Sequence, residues 1–169
     1  PYIYTLTANG CSNTETVFLS VNPVISSPDV SVSTCSGADM SYTVNNFPQN
    51  TLYTWSFVSN TGGVSGSSSQ TFIPQSAITQ KLFNNTNSVG NAVYQVTPSL
   101  PSALTSGCNG KPFNLTVLVN PLPVLTSSAV ATPVCSNTEF NYTPTSNIAG
   151  TSFSWYRASV TGIQNAKSS

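Results

Sequence analysis

Hydrophobic and polar residues alternate with a period of two through most of this chain. The alternation is clearest in short runs that are rich in aromatic and β-branched residues and are bounded by Asn, Gly, Pro or Ser. These runs are YIYTLTA, TVFLSVN, MSYTV, LYTWSFV, AVYQVTP, FNLTVLVN, FNYTP and SFSWYR. Because residues two apart share one face of a strand, the pattern predicts an all-β protein built from short strands, as in a β-sandwich.

One segment favours a helix. Residues 74–85, PQSAITQKLFNN, place Ala77, Ile78 and Leu82 roughly on one helical face, which predicts at most a single short helical turn. Elsewhere the 12 prolines and 10 glycines of the chain interrupt any helical pattern within a few residues.

Landmark residues recur with a period close to 100 residues. Pro23 and Pro121 each follow a strand-like run that ends in Asn, and they lie 98 residues apart. Such a period indicates a tandem repeat. We therefore expect the end of one repeat at residues 1–23, a complete repeat at 24–121 and the start of another at 122–169. The other matched pairs are Cys35 and Cys135, Tyr42 and Tyr142, Trp55 and Trp155, and Cys11 and Cys108.

The complete repeat has the size of an immunoglobulin-like sandwich of about 100 residues. In that fold Tyr42 would lie on the second strand, Trp55 on the third and Tyr94 on the next-to-last, and FNLTVLVN would form the last strand. We expect these three aromatic residues to anchor the core, because large rings contribute most to core burial. Tyr142 and Trp155 are expected to anchor the core of the following repeat.

The charge composition excludes several classes of function. The chain has four basic and four acidic residues and no histidine, and 5% of it is charged. Four scattered cations cannot form the basic patch that nucleic acid requires, and imidazole-based catalytic triads are excluded. We expect no catalytic residue, no metal site and no cofactor. No apolar run approaches the roughly 20 residues that span a bilayer, so we expect no membrane insertion.

The cysteines favour an oxidising environment, and their pairing stays open. If each repeat holds its own bridge, Cys35 pairs with Cys108, and the mates of Cys11 and Cys135 lie outside this chain. However, Cys35 and Cys108 precede strands expected to run antiparallel, which would place them at opposite ends of a domain, too far apart for a disulfide. The alternative is a bridge between neighbouring repeats.

A Ser/Gly-rich stretch, SNTGGVSGSSSQ at residues 59–70, predicts a flexible loop that is too long for a tight hairpin. Such loops often carry binding residues, so we consider it as a possible ligand loop. Its candidate residues are Ser59, Gly62, Gly63 and Gly66.

Two segments carry a resemblance to a known family. CSNTEFNYTPTSNIAGTSFSWYRASVTGI, from Cys135, resembles the opening of the PKD-like repeats of giant surface proteins of Bacteroidota, and YTLTANGCSNTETVFLSVNP, from Tyr4, resembles their end. The likeness is most specific from Phe153 to Ala158, whereas the middle repeat lacks the Arg of that motif. It implies tandem PKD-like β-sandwich repeats in a protein exported by the type IX secretion system, of the gliding-motility adhesin kind, with no catalytic residues.

We therefore expect a non-catalytic stalk or filament in an extracellular adhesin on the cell surface. Its expected partners are neighbouring repeats of the same chain, surface polysaccharide, and other adhesin or envelope proteins. One alternative is a carbohydrate-binding module, which requires a row of exposed aromatic residues. Another is a filament subunit whose sandwich is completed by a strand from a neighbouring chain. The residues to inspect for the aromatic row are Tyr2, Phe47, Tyr53 and Tyr156.

Overall fold

The computed structural model describes residues 1–19, 24–45, 47–100 and 109–159. Within these residues every regular element is a strand, which confirms the all-β class. No helix in this part of the chain could cross a membrane. The strands are β1 (Tyr2–Ala8), β2 (Cys11–Val17), β3 (Val30–Cys35), β4 (Asp39–Tyr42), β5 (Leu52–Thr61), β6 (Val64–Ser65), β7 (Gln70–Gln75), β8 (Ile78–Lys81), β9 (Phe83–Asn84), β10 (Gly90–Ser99) and β11 (Phe113–Asn120).

One five-stranded sheet forms the larger layer of the segment expected to be a complete repeat, residues 24–121 (the central repeat). Its strand order is β3-β11-β10-β5-β7. The pairs β11–β10, β10–β5 and β5–β7 are antiparallel, whereas β3 runs parallel to β11, with Val30 opposite Leu115 and Cys35 opposite Asn120. The first and last strands of the repeat are therefore neighbours that point in the same direction.

The second layer is the antiparallel pair β4–β8. Alternate residues of the large sheet face this pair, and the core lies between the two layers. The strictest alternation is in β10 and β11, where every second residue is buried. The buried core residues are Met40, Tyr53, Trp55, Val64, Ile78, Leu82, Ala92, Tyr94, Val96, Phe113, Leu115, Val117 and Val119.

The N-terminal segment forms a separate two-stranded hairpin, β1–β2, whose register runs from Tyr2 opposite Val17 to Ala8 opposite Cys11. All residues of both strands are exposed. Tyr2, Tyr4 and Leu6 alternate along one face, as the inward residues of β10 do in the central repeat. In the central repeat that face is covered by the second layer.

The predicted helical turn at residues 74–85 is wrong. The structure places β8 and β9 there. Ile78, Gln80 and Leu82 are buried and alternate with exposed Thr79 and Lys81. The period is therefore two, and the apolar positions that fit a helical face are equally compatible with a strand that pairs with β4.

The described part of the segment after Pro121 does not form the strands that its sequence predicts. The runs FNYTP and SFSWYR form no strand among residues 122–159, where the ladder contact is a single bridge between Leu125 and Ser146. A strand needs a hydrogen-bonding partner along its edge. Among residues 122–159, no such ladder pairs with either run.

Candidate functional surfaces

Two predicted core anchors lie at the centre of the central repeat. Trp55 is 4% exposed and Tyr94 is fully buried. Tyr42 is half-buried at the edge of the same core. Tyr142 and Trp155 are exposed, and Trp155 is 62% accessible to solvent. The difference from their expected role has a physical reason. Trp55 packs in the core between two sheet layers, whereas no strand forms among residues 122–159 to cover Trp155.

A buried polar bridge joins the two layers at Gln80. The Tyr94 hydroxyl donates a hydrogen bond to Gln80 Oε1 at 2.9 Å, and the Ser68 amide donates to the same oxygen at 3.0 Å. Gln80 Nε2 donates to the Ser68 carbonyl oxygen at 3.1 Å, which also accepts the Trp55 indole N–H at 3.0 Å. The polar atoms of Trp55 and Tyr94 are thus satisfied without water.

Burial raises the pKa of the Tyr94 hydroxyl, because removal from water disfavours the phenolate. The pKa of Tyr42 is also raised, first by burial and then by the nearby Tyr53. Both shifts favour the neutral phenol in the folded protein. The neutral Tyr94 phenol is the form that donates its hydrogen bond to Gln80.

The proposed ligand loop is mostly ordered strand and turn. Ser59 lies within β5, and Gly62 and Gly63 form a two-residue turn with φ angles of 63° and 69°. At Gly66, the Cβ of any other residue would clash with the carbonyl oxygen of Lys81. The expectation of a long flexible loop was wrong here because paired positive φ angles close a tight turn that only glycine adopts readily.

The predicted aromatic row is not assembled. Tyr53 is buried, and Phe47 stacks on Tyr53 with ring centroids 6.3 Å apart. Phe47 also meets Phe113 edge to face at 6.5 Å. Tyr2 and Tyr156 are exposed, but they belong to the first and last segments of the chain. A sugar-stacking surface of the kind expected therefore has two of its four residues in the core.

Two acidic residues, Asp29 and Asp39, are each paired with a residue on a neighbouring strand. Both oxygens of Asp29 accept hydrogen bonds from Asn114, from its amide at 2.8 Å and from its side chain at 3.2 Å. Asp39 pairs with Lys81 across β4–β8 at 3.2 Å on the exposed face. Among the described residues, no three His, Cys, Asp or Glu side chains lie close enough together to bind a metal ion.

Cys11, Cys35 and Cys135 are exposed and hold no disulfide within the part of the chain described. Cys11 directly follows the turn of the β1–β2 hairpin, and Cys35 ends β3. Cys108 lies outside the described residues, so the Cys35–Cys108 pair stays a prediction.

Asn84 organises the end of the repeat where β11 finishes, and sequence reasoning missed it. Its side-chain amide donates to the carbonyl oxygens of Ser88 and Val119, each at 2.8 Å, and its oxygen accepts from the Thr86 amide and hydroxyl at 2.9 and 2.7 Å. The Asn84 backbone amide donates to the Ser36 hydroxyl at 2.8 Å. In the sequence, Asn84 is recognisable only as part of an Asn-x-Thr motif, which does not report burial.

The following segment contacts the same end of the repeat. The side-chain amide of Asn147 donates to Asn87 Oδ1 at 2.7 Å. Two hydrogen bonds hold Asn147 against Val124. The Oδ1 of Asn147 accepts from the Val124 backbone amide at 2.7 Å, and the Asn147 backbone amide donates to the Val124 carbonyl oxygen at 3.2 Å. A hydrogen-bonded contact therefore joins the Asn84 loop to the start of the next segment.

Two turns recur at an offset of 100 residues with the same hydrogen bonds. The backbone amide of Ala38 donates to the carbonyl oxygen of Cys35 at 3.1 Å. In the same way, the backbone amide of Thr138 donates to the carbonyl oxygen of Cys135 at 3.1 Å. Local geometry thus repeats together with the sequence at the cysteine turn.

The second matched turn precedes the tryptophan strand. The hydroxyl of Thr51 donates to the carbonyl of Pro48 at 2.7 Å, and the hydroxyl of Thr151 donates to the carbonyl of Ile148 at 2.7 Å. The two segments therefore share backbone turns, although strands follow the turn only in the first of them among the described residues.

The central sandwich matches a known protein family. A family described as a PKD-like domain matches residues 32–123, which is just over half of the chain and almost all of the central sandwich. No curated protein and no solved structure shows significant similarity to the chain.

Proposed function

Because the chain belongs to the PKD-like domain family, we propose that it is a non-catalytic repeat region of a large cell-surface adhesin. In this proposal the repeats form an extended extracellular stalk. The observation that carries it is the family match over the one complete sandwich, combined with turns that recur 100 residues later. Export by the type IX system of a Bacteroidota cell and a role in gliding motility are the finer parts of the proposal.

The geometry of the central repeat supports a linear arrangement. Its first strand β3 and last strand β11 are parallel neighbours, so the chain enters the sandwich at one end and leaves it at the other. Pro121 and Pro123 follow directly, and proline restricts the conformations of a linker. Repeats joined in this way extend along a line.

The contact between Asn87 and Asn147 supports a defined junction. The loop that holds Asn87 lies at the exit end of the sandwich, because Asn84 of that loop binds the carbonyl of Val119. The next segment therefore meets the end of the repeat, as a stacked array requires. The carbohydrate-module alternative has less support, since Phe47 and Tyr53 pack in the core.

The linear arrangement is tested with the full chain in which a second copy of residues 24–121 is inserted directly after Pro121. Small-angle X-ray scattering of the two proteins measures the maximum dimension. We expect the insertion to lengthen the particle by about 33 Å, the span of a ten-residue strand such as β10 at about 3.3 Å per residue. An increase of only a few ångströms would show that the repeats collapse together and would refute the stalk.

The location is tested separately on intact cells of the source organism. Antibodies raised against residues 24–121 should label cells without permeabilisation, and external protease should remove the signal. Labelling that requires permeabilised cells would overturn the surface assignment.

The strand-exchange alternative makes a distinct prediction from the exposed hairpin. If β1–β2 completes its sandwich with another chain, the full chain should associate as its concentration rises, and deletion of residues 1–19 should abolish that association. A particle that stays monomeric in light scattering would exclude this alternative.

A further inference from the structure

The expected repeat carries cysteine at two positions, and the described residues at or directly after these positions, Cys35 and Asn109, lie at opposite ends of a sandwich. The first position is Cys35, which closes the first strand, and it recurs as Cys135. The second is Cys11, which lies directly after the turn between the last two strands of the preceding repeat. Its counterpart in the central repeat is Cys108.

The separation within one repeat follows from strand register. Cys35 pairs with Asn120, the last residue of β11. Asn109 forms a bridge with Ser99, three residues beyond the Val96–Phe113 pair that ends the β10–β11 ladder. Asn120 and Asn109 are therefore about ten strand residues, roughly 33 Å, apart along the sheet. A disulfide requires Cα atoms within about 7 Å.

Cys35 lies at the end of the repeat that the next segment contacts. Its neighbour Ser36 donates a backbone hydrogen bond to the Asn120 carbonyl at 2.9 Å and shares hydrogen bonds with Asn84. The loop after Asn84 reaches Asn147 through Asn87. The first cysteine position therefore belongs to the junction with the following repeat.

The second cysteine position of the following repeat should face the same junction. In the central sandwich, the loop before the tryptophan strand lies beside the start of the last strand, because Phe47 contacts Phe113. Asn147 lies in the matching loop of the following segment, and its side chain donates a hydrogen bond to Asn87 of the central repeat. By the same topology, the turn before the last strand of the following repeat lies on the side that faces this junction. The equivalent turn of the β1–β2 hairpin is directly followed by Cys11.

We infer that Cys35 forms a disulfide with the cysteine that precedes the last strand of the following repeat, so that each junction of the array is covalently cross-linked. Two thiols lose two protons and two electrons as the S–S bond forms. A small-molecule or protein disulfide accepts the electrons and is reduced to two thiols, by thiol–disulfide exchange. The inference rests on the proposed tandem array.

The test uses the full chain with residues 24–121 duplicated, as above, and with Cys11→Ser and Cys135→Ser. Four cysteines then remain, one at each position of each copy. The protein is oxidised with oxidised glutathione, the monomeric fraction is alkylated, and intact mass gives the number of free thiols. A bridge between copies leaves two free thiols, whereas a bridge within each copy leaves none.

Two matched variants identify the bridge. Cys35→Ser in the first copy should abolish the bridge and leave all three remaining thiols free. The same substitution in the second copy should keep the bridge and leave one free thiol. Equal thiol counts in the two variants, or four free thiols in the parent protein after oxidation, would overturn the inference.

Scattering on the same samples separates this inference from the array. If the duplicated chain does not lengthen, the linear array fails and the cross-link fails with it. If it lengthens while the cysteines pair within one copy or stay reduced, the array stands and only the junction disulfide is refuted.

Discussion

Substitution of Gln80 by leucine tests whether the polar bridge stabilises the sandwich. Leucine has a similar volume but no hydrogen-bonding atom. The Tyr94 hydroxyl and the Ser68 amide would lose the acceptor that they share. Tyr94 is fully buried, so water cannot replace the lost partner without opening the core.

The magnitude follows from the groups left unpaired. The fully buried Tyr94 hydroxyl left without an acceptor costs about 3 kcal/mol, and the part-buried Ser68 amide, which water can partly reach, costs about 1 kcal/mol. The apolar surface gained by leucine returns about 2 kcal/mol. We expect a net loss of about 2 kcal/mol in the free energy of unfolding, or a fall in Tm of roughly 10 °C for a sandwich of this size.

Urea and thermal unfolding followed by Trp55 fluorescence measure this loss, in a Trp155→Phe background that removes the exposed reporter. Gln95→Leu is the matched control, because Gln95 is the exposed neighbour of Tyr94 on the same strand. Adding Tyr94→Phe to Gln80→Leu should restore part of the stability, since one orphaned donor is removed. A Gln80→Leu protein as stable as the control would refute the bridge.

The remaining predictions concern three features. Trp55→Ala should lower the free energy of unfolding, measured by chemical denaturation, by about 3–5 kcal/mol. Trp155→Ala, at an exposed site, should change it by less than about 1 kcal/mol. Equal losses in the two variants would contradict the difference in burial. Because the pKa of Tyr94 is raised in the folded state, stability should be fully retained below the unfolded pKa of 10.0 and fall as pH rises through the folded pKa. The slope is up to about 1.4 kcal/mol per pH unit, and a pH titration of Tm in Tyr94→Phe should show a shallower decline. Gly66→Ala should lower Tm much more than Gly10→Ala, because both have positive φ but only Gly66 lies against backbone; comparable Tm values would contradict this.

The all-β class and the buried face of the large sheet could be predicted because period-two alternation is a local property. Trp55 and Tyr94 stand out in the sequence as large aromatic residues in alternating runs, and both lie in the core. The β8 strand was mistaken for a helical turn since Ile78 and Leu82 fit either period in so short a segment. Only pairing with β4, distant in sequence, decides between them.

The polar residues were less predictable, for a related reason. Gln80 and Asn84 are buried because Tyr94, Ser68, Val119 and other groups far along the chain satisfy them. No local pattern distinguishes such a residue from an exposed one. The tight turn at Gly62 was missed because its neighbours are also small and polar, and composition alone suggests a loop.

The parallel pairing of β3 with β11 also determines how the repeat responds to tension. A pull on the two ends of the sandwich slides these strands past each other along their length, from Val30 opposite Leu115 to Cys35 opposite Asn120. All their hydrogen bonds then resist in shear at once, instead of opening one after another as in a peeled hairpin. Single-molecule stretching of the full chain should therefore show one high-force rupture for the central repeat, and Asp29→Ala, which removes the Asn114 contacts beside this pair, should lower that force.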